Sequence, residues 1–128
     1  MGRSIRRFTL ATVMLGLAGL LPALALGSTE RTVAPTSAER AAILKAFGDP
    51  RAAGSCLIVR LAASNGNYGT VRFHAVTRCT RWAFNGVNVL KRRSDDHWKV
   101  VFEGSSYGCP LARIPRQVQR DLGICPRA

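Results

Sequence analysis

Four cysteines, Cys56, Cys79, Cys109 and Cys125, constrain this 128-residue chain more than any other feature. All lie beyond an apolar leader, and an even count in a small exported domain reads as a disulfide framework. Four cysteines allow three pairings. Cys56–Cys79 with Cys109–Cys125 is preferred, because each pair brackets a segment that looks locally closed. Each link stabilises by ~2–4 kcal/mol, chiefly by restricting the unfolded chain. A zinc site built from these cysteines with His74 and His97 is disfavoured, since there is no Cys-x-x-Cys pair and the spacings match no common zinc module. No metal and no cofactor is expected.

The leader supplies the export context. Met1 to Arg7 carries three arginines and no acid, and Phe8 to Thr29 has no charged residue. The stretch ends in Pro22-Ala-Leu-Ala-Leu-Gly-Ser28, with small residues at signal-peptidase spacing. A basic start, an apolar run and an A-x-A-like end are the three parts of a secretory signal. Residues 1–27 are therefore read as the signal, cleaved after Ala25 or Gly27, and the protein as secreted or held in the cell envelope. A retained anchor is the alternative, because the apolar run approaches the ~20 residues that span a bilayer. Gly16, Gly19 and Pro22 argue against it, so no stable membrane span is expected after cleavage.

About 100 residues remain, enough for one domain with a modest core. Of the formal charge of +12, the leader carries three, leaving +9. Such an excess attracts polyanions: nucleic acid, acidic wall polymers or anionic surfaces. The cations are scattered, apart from Lys91-Arg92-Arg93, and are mostly arginine. Charge alone names no partner.

Residues 28–35 read as a flexible polar lead-in to a single domain at 36–128. Thr36-Ser-Ala-Glu39 has the form of a capping box, opening a helix that Gly48-Asp-Pro50 stops. Two hairpins follow. In the first, from Cys56 and from Tyr68, Leu61 is set opposite Phe73 and Val59 opposite Ala75 around Asn65-Gly66. One face is then apolar, and the other carries Arg60, Arg72 and His74. In the second, Val89 opposite Val100 collects Val87, Val89, Trp98, Val100 and Phe102 on one side, with Asn88, Lys99 and Glu103 mostly on the other. Pro115 to Leu122 reads as a short helix ended by Gly123. The expected fold is α+β: an N-terminal helix packed on a four-stranded antiparallel sheet, a short C-terminal helix and two disulfides.

Ala38-Glu-Arg-Ala-Ala-Ile43, Trp98-Lys-Val-Val-Phe-Glu-Gly-Ser105, Cys109-Pro110, Ile114-Pro-Arg-Gln-Val118 and Arg120-Asp-Leu-Gly-Ile-Cys125 carry a resemblance to small exported actinobacterial proteins of unassigned function. The order of helix and twisted hairpins also resembles cystatin-like and nuclear-transport-factor-like α+β rolls. Neither resemblance implies an active-site pattern.

The favoured expectation is a non-catalytic binding module of the envelope or extracellular space. Arg60, Arg72, Arg78, Arg81 and Trp82 would meet an anionic polymer or surface, arginine suiting phosphate and carboxylate groups. A plain solvated strand face is the competing account of these residues. A ribonuclease-like hydrolase is the first alternative, with His74 and Glu103 as acid and base beside those arginines. An inhibitor of a secreted enzyme is the second, through the loops at Asn65-Gly-Asn67 and Ser105-Ser-Tyr-Gly108. Oligomeric state is left open.

Overall fold

The computed structural model describes residues 30–48, 54–81 and 86–125. The signal at 1–27, the helix-stop residues Asp49 and Pro50, and Trp82 lie outside the described residues. The order is β1 (Thr32–Val33), α1 (Ser37–Phe47), a 3-10 turn (Gly54–Cys56), β2 (Leu57–Ala62), β3 (Tyr68–Phe73), α2 (Thr77–Thr80), β4 (Val87–Arg92), β5 (Trp98–Gly104) and α3 (Arg116–Asp121). The strands form one antiparallel sheet in sequential order. The α+β class and both disulfides stand as expected, with Cα separations of 5.4 Å for Cys56–Cys79 and 5.8 Å for Cys109–Cys125. The sheet has five strands instead of four. The extra one, β1, comes from the segment read as a polar lead-in and pairs with the end of β2.

Helix α1 begins as its sequence dictates. The Thr36 hydroxyl accepts from the Glu39 N–H at 3.2 Å, and the Glu39 carboxylate accepts from the Thr36 N–H at 2.9 Å. These bonds from Thr36, reinforced by Arg92, hold the Glu39 carboxyl below its ordinary pKa. At the other end Gly48 takes a left-handed backbone, φ 69°, and its N–H caps the Leu44 carbonyl. Ile43, fully buried, sinks into a core of Leu57, Val59, Leu61, Val71, Leu90 and Trp98. Gly69 makes room for this packing: a Cβ there would stand 3.0 Å from both Leu61 Cδ2 and the Arg60 carbonyl.

Two register expectations are corrected. In the first hairpin Leu57 pairs with Phe73 and Val59 with Val71, a slip of four residues from the expected alignment. The connection is longer than an Asn-Gly turn: Asn65 Oδ1 accepts from the Asn67 N–H and the Asn65 carbonyl from Tyr68. An even slip preserves faces, so the apolar set survives while Ala75 falls beyond the strand. In the second hairpin Val89 pairs with Phe102 but Leu90 with Val100, leaving Val101 unmatched as a bulge. A one-residue shift swaps faces. Trp98 and Val100 therefore pack beneath α1, whereas Val87, Val89 and Phe102 turn to the opposite face.

That opposite face is also covered, which a helix on a single side did not anticipate. Ile114, Val118 and Leu122, on and around α3, cover Ala62, Tyr68 and Val89, with Ile124 and the buried Cys125 completing the cluster. Asp121 ties α3 down: its carboxylate accepts from the Ser64 N–H at 2.7 Å and from Gln117 Nε2 at 2.9 Å, and its carbonyl from Arg31 just before β1. Burial pushes the Asp121 carboxyl upward, but the Ser64 and Gln117 bonds and the nearby Arg31 charge outweigh it and hold it below the usual range.

Asn88 was placed mostly on a polar face and is instead fully buried. Strands β3 and β4 pair only through Tyr68↔Lys91 and Gly69↔Leu90. Beyond that point the Asn88 side chain replaces the ladder, its Oδ1 accepting from the Val71 N–H at 2.8 Å and its Nδ2 donating to the Val71 carbonyl at 2.7 Å. A side-chain amide has the same donor and acceptor as a peptide group, so it can complete the pair where the backbones diverge.

Asn88→Ala should lower unfolding free energy by ~2–4 kcal/mol in urea denaturation, because two buried backbone groups lose their partners. Acid stability should report Asp121. A depressed folded pKa contributes stability that is fully present above the unfolded carboxyl value, about 3.9, and lost as pH falls toward the folded value. Asp121→Asn should therefore flatten the loss of stability measured below about pH 4 relative to the unaltered protein.

Candidate functional site

The residues singled out for an anion do not form one patch. Arg60 is exposed on β2. Arg72 is engaged: its guanidinium pairs with Glu30 at 3.1 Å and donates to the Leu122 carbonyl at the end of α3. It therefore serves the fold, joining β3 to the C-terminal helix. Arg92 is likewise held, against Glu39 at 3.4 Å and over the Trp98 ring at 5.5 Å. Arg78 and Arg81 are exposed in and just after α2, beside the Cys56–Cys79 link. His74 is exposed past the end of β3 and lines the two grooves flanking that end of the first hairpin, whereas Glu103 lines neither. Glu103 sits on β5 opposite Asn88.

A different set of cations does converge. Lys91 on β4 and Lys99 on β5 are direct cross-strand partners. Such neighbours have Cβ atoms roughly 4.5–5.5 Å apart, and like charges there repel. Both line a cleft of about 390 Å³ with Tyr68, Val100, Val101, Ala112, Arg113 and Ile114. Arg113 is the third cation. Among the described residues no carboxylate pairs with Lys91, Lys99 or Arg113. The Lys91 ammonium lies 5.4 Å from the centroid of the buried Tyr68 ring, which provides a partial counter-field.

The wall that carries Arg113 is tightly held. Gln119, fully buried on α3, accepts from the Leu111 N–H at 2.8 Å through Oε1, and its Nε2 donates to the carbonyls of Leu111 and Ile114 at 2.8 and 2.6 Å. The Cys109–Cys125 disulfide closes the same segment, and the Tyr107 hydroxyl donates to the Ile124 carbonyl at 3.1 Å. Within this frame Arg113 adopts φ 64°, a left-handed backbone. A non-glycine residue there costs roughly 1–2 kcal/mol, and such strain persists where the surroundings dictate it, often at ligand clamps.

The cleft thus has two lysines on the sheet, one arginine on the facing loop, and Val101 and Ile114 as apolar members of its lining. All its charged members are cations, and among the described residues that line it there is no carboxylate or imidazole. Composition gave little access to it. Lys91 and Lys99 lie eight positions apart in sequence and meet only through the bulged register. Arg113, preceding Ile114-Pro115, carries no sequence signal of its left-handed backbone. The run Lys91-Arg92-Arg93 pointed at the right strand, but its members separate: Arg92 turns to the α1 side and Arg93 pairs with Asp95 at 3.6 Å.

Among the described residues no group of three or more histidine, cysteine or acidic side chains is placed to hold a metal ion, and no helix is long and apolar enough to cross a membrane. No family model, curated protein or solved structure matches the chain.

Proposed function

We propose that this protein is an exported, disulfide-stapled binding module whose ligand is an anionic polymer of the extracellular space or cell envelope. The observation that carries the reading is the convergence of Lys91, Lys99 and Arg113 on one cleft, with no acid among the described residues paired to any of them. Bringing two lysines directly opposite one another and holding an arginine in a left-handed backbone both cost stability. An anion between them offsets both costs at once. Two other cations of the sheet are already engaged, Arg72 by Glu30 and Arg92 by Glu39, and Arg60 stands exposed on β2 away from the cleft. The charge of +9 that remains without the leader's three arginines adds a long-range attraction that speeds encounter with any polyanion.

Support for the hydrolytic reading is weaker, because His74 and Glu103 share neither of the grooves that His74 lines. Among the described residues the cleft lining holds cations and a tyrosine but no carboxylate or imidazole.

A duplex DNA oligonucleotide serves as a polyanion of known charge spacing for the test. Binding should weaken linearly on a log–log plot against salt. Lys99→Ala and Arg113→Gly should each reduce the slope by about 0.9, the value for one lost phosphate contact. Glycine accepts the left-handed backbone at position 113, so Arg113→Gly should leave thermal stability unchanged or slightly raised. Arg78→Ala, which removes an exposed cation outside the cleft, should change the slope by less. Equal effects of all three substitutions would mean that net charge, and not the cleft, does the binding.

A further inference from the structure

Strand register brings three of the cleft's polar side chains into one row. Tyr68 of β3 pairs with Lys91 of β4, and Lys91 pairs with Lys99 of β5. Directly opposed residues share a face of a sheet, so a phenol and two lysines stand side by side across three strands. Neighbouring strands lie about 4.8 Å apart, which gives the row a span of about 10 Å. Arg113 lines the same cleft from the loop that Gln119 and the Cys109–Cys125 disulfide hold.

Tyr68 is the unusual member of the row. It is 5% exposed and belongs to the apolar cluster under α3, yet it also lines the cleft. A buried tyrosine normally gives its hydroxyl a partner, and Tyr107 does so, donating to the Ile124 carbonyl. Among the described residues the Tyr68 hydroxyl makes no such bond. Nor is it sealed in the core, where the described side-chain atom left without a partner is Thr70 Oγ1. The Tyr68 hydroxyl therefore meets solvent, and the cleft is the cavity that this residue lines. It is a donor held ready beside three cations.

We propose that the cleft receives a phosphate monoester, carried as an end or side group of the polymer, and that the Tyr68 hydroxyl selects it over an internal diester. The inference rests on the reading of this cleft as an anion site and names the group it takes. A monoester has a charge of about −1.5 to −2 at pH 7 and three strong acceptor oxygens. A diester keeps a single charge and one fewer free oxygen. Lys91, Lys99, Arg113 and the phenol together supply donors for all three oxygens of the monoester. The second negative charge also offsets more of the repulsion between the opposed lysines. Arginine offers the planar fork that phosphate geometry favours, and the fixed loop sets that fork in place before the ligand arrives.

The probes are two single-stranded oligothymidylates of equal length, one with a 5′-phosphate and one with a 5′-hydroxyl, titrated into the protein at one fixed low salt concentration. At neutral pH the phosphate-ended strand should bind at least about tenfold tighter, the effect of a hydrogen bond to a charged group. The second ionisation of the monoester falls near pH 6, so this preference should shrink severalfold at about pH 5. No histidine or carboxylate is among the described residues lining the cleft, and charge gained by His74 and His97 acts on both strands and cancels in the ratio. Tyr68→Phe keeps the ring beside Lys91 and removes the hydroxyl, and it should cut the preference at least about threefold. Arg78→Ala should leave the preference unchanged. Inorganic phosphate, equimolar with the phosphate-ended strand, should not displace it; displacement would mean that the cleft takes the free ion and not a polymer's group. Equal affinities of the two strands, both weakened by Lys99→Ala, would overturn the monoester and leave the anion cleft standing. Binding indifferent to Lys99→Ala would overturn both. A preference that survives Tyr68→Phe intact would remove the hydroxyl from the account.

Discussion

Val101 is the one residue of the second hairpin without a partner, and the side chains before and after it depend on that fact. The bulge rotates β5 by one position, so that Trp98 and Val100 enter the core under α1 while Phe102 enters the core under α3. Without it the same five apolar residues would crowd one face and leave the other unfilled. A sheet covered on both sides also needs its ends sealed. The two disulfides do this at the open end of the first hairpin and along the C-terminal segment. Asn88 and Gln119 supply buried amides where backbone pairing runs out. Leaving either amide half-satisfied would cost far more than a surface hydrogen bond contributes.

Local chemistry was legible in the sequence, and long-range pairing was not. Thr36 and Glu39 announced the start of α1 because a capping box is complete within four residues. Both disulfides were readable because each closes a short segment, with sequence separations of 23 and 16. The first hairpin kept its faces despite a slip of four, since an even error is invisible to alternation. The second did not, because a bulge leaves no mark in apolar periodicity: Trp98, Val100 and Phe102 alternate perfectly in sequence yet serve two cores. Strand β1 was missed for a related reason. Two residues are too few for a pattern, and its place is fixed by Asp121 and by the edge of β2.

The same bulge explains why the cationic site was not legible. Arg60, Arg72, Lys99 and Arg92 share one face only if both hairpins are regular. In the fold Arg72 and Arg92 are absorbed by carboxylates, and Lys99 is set against Lys91 beside the bulged Val101. Arg113 arrives from a loop that Gln119 and the second disulfide hold in place. Residues scattered in sequence therefore become a concentrated site through packing, while a visible basic run is dispersed.

The central claim is that this cleft, and not the diffuse charge of the chain, receives an anion. Its most direct test is a titration of a short inorganic polyphosphate into the isotope-labelled protein at physiological ionic strength, read by amide and side-chain shifts. The account predicts saturable shifts confined to Tyr68, Lys91, Lys99 to Val101 and Ala112 to Ile114. Shifts spread evenly over the exposed cations, or centred on Arg60, Arg78 and Arg81, would contradict it.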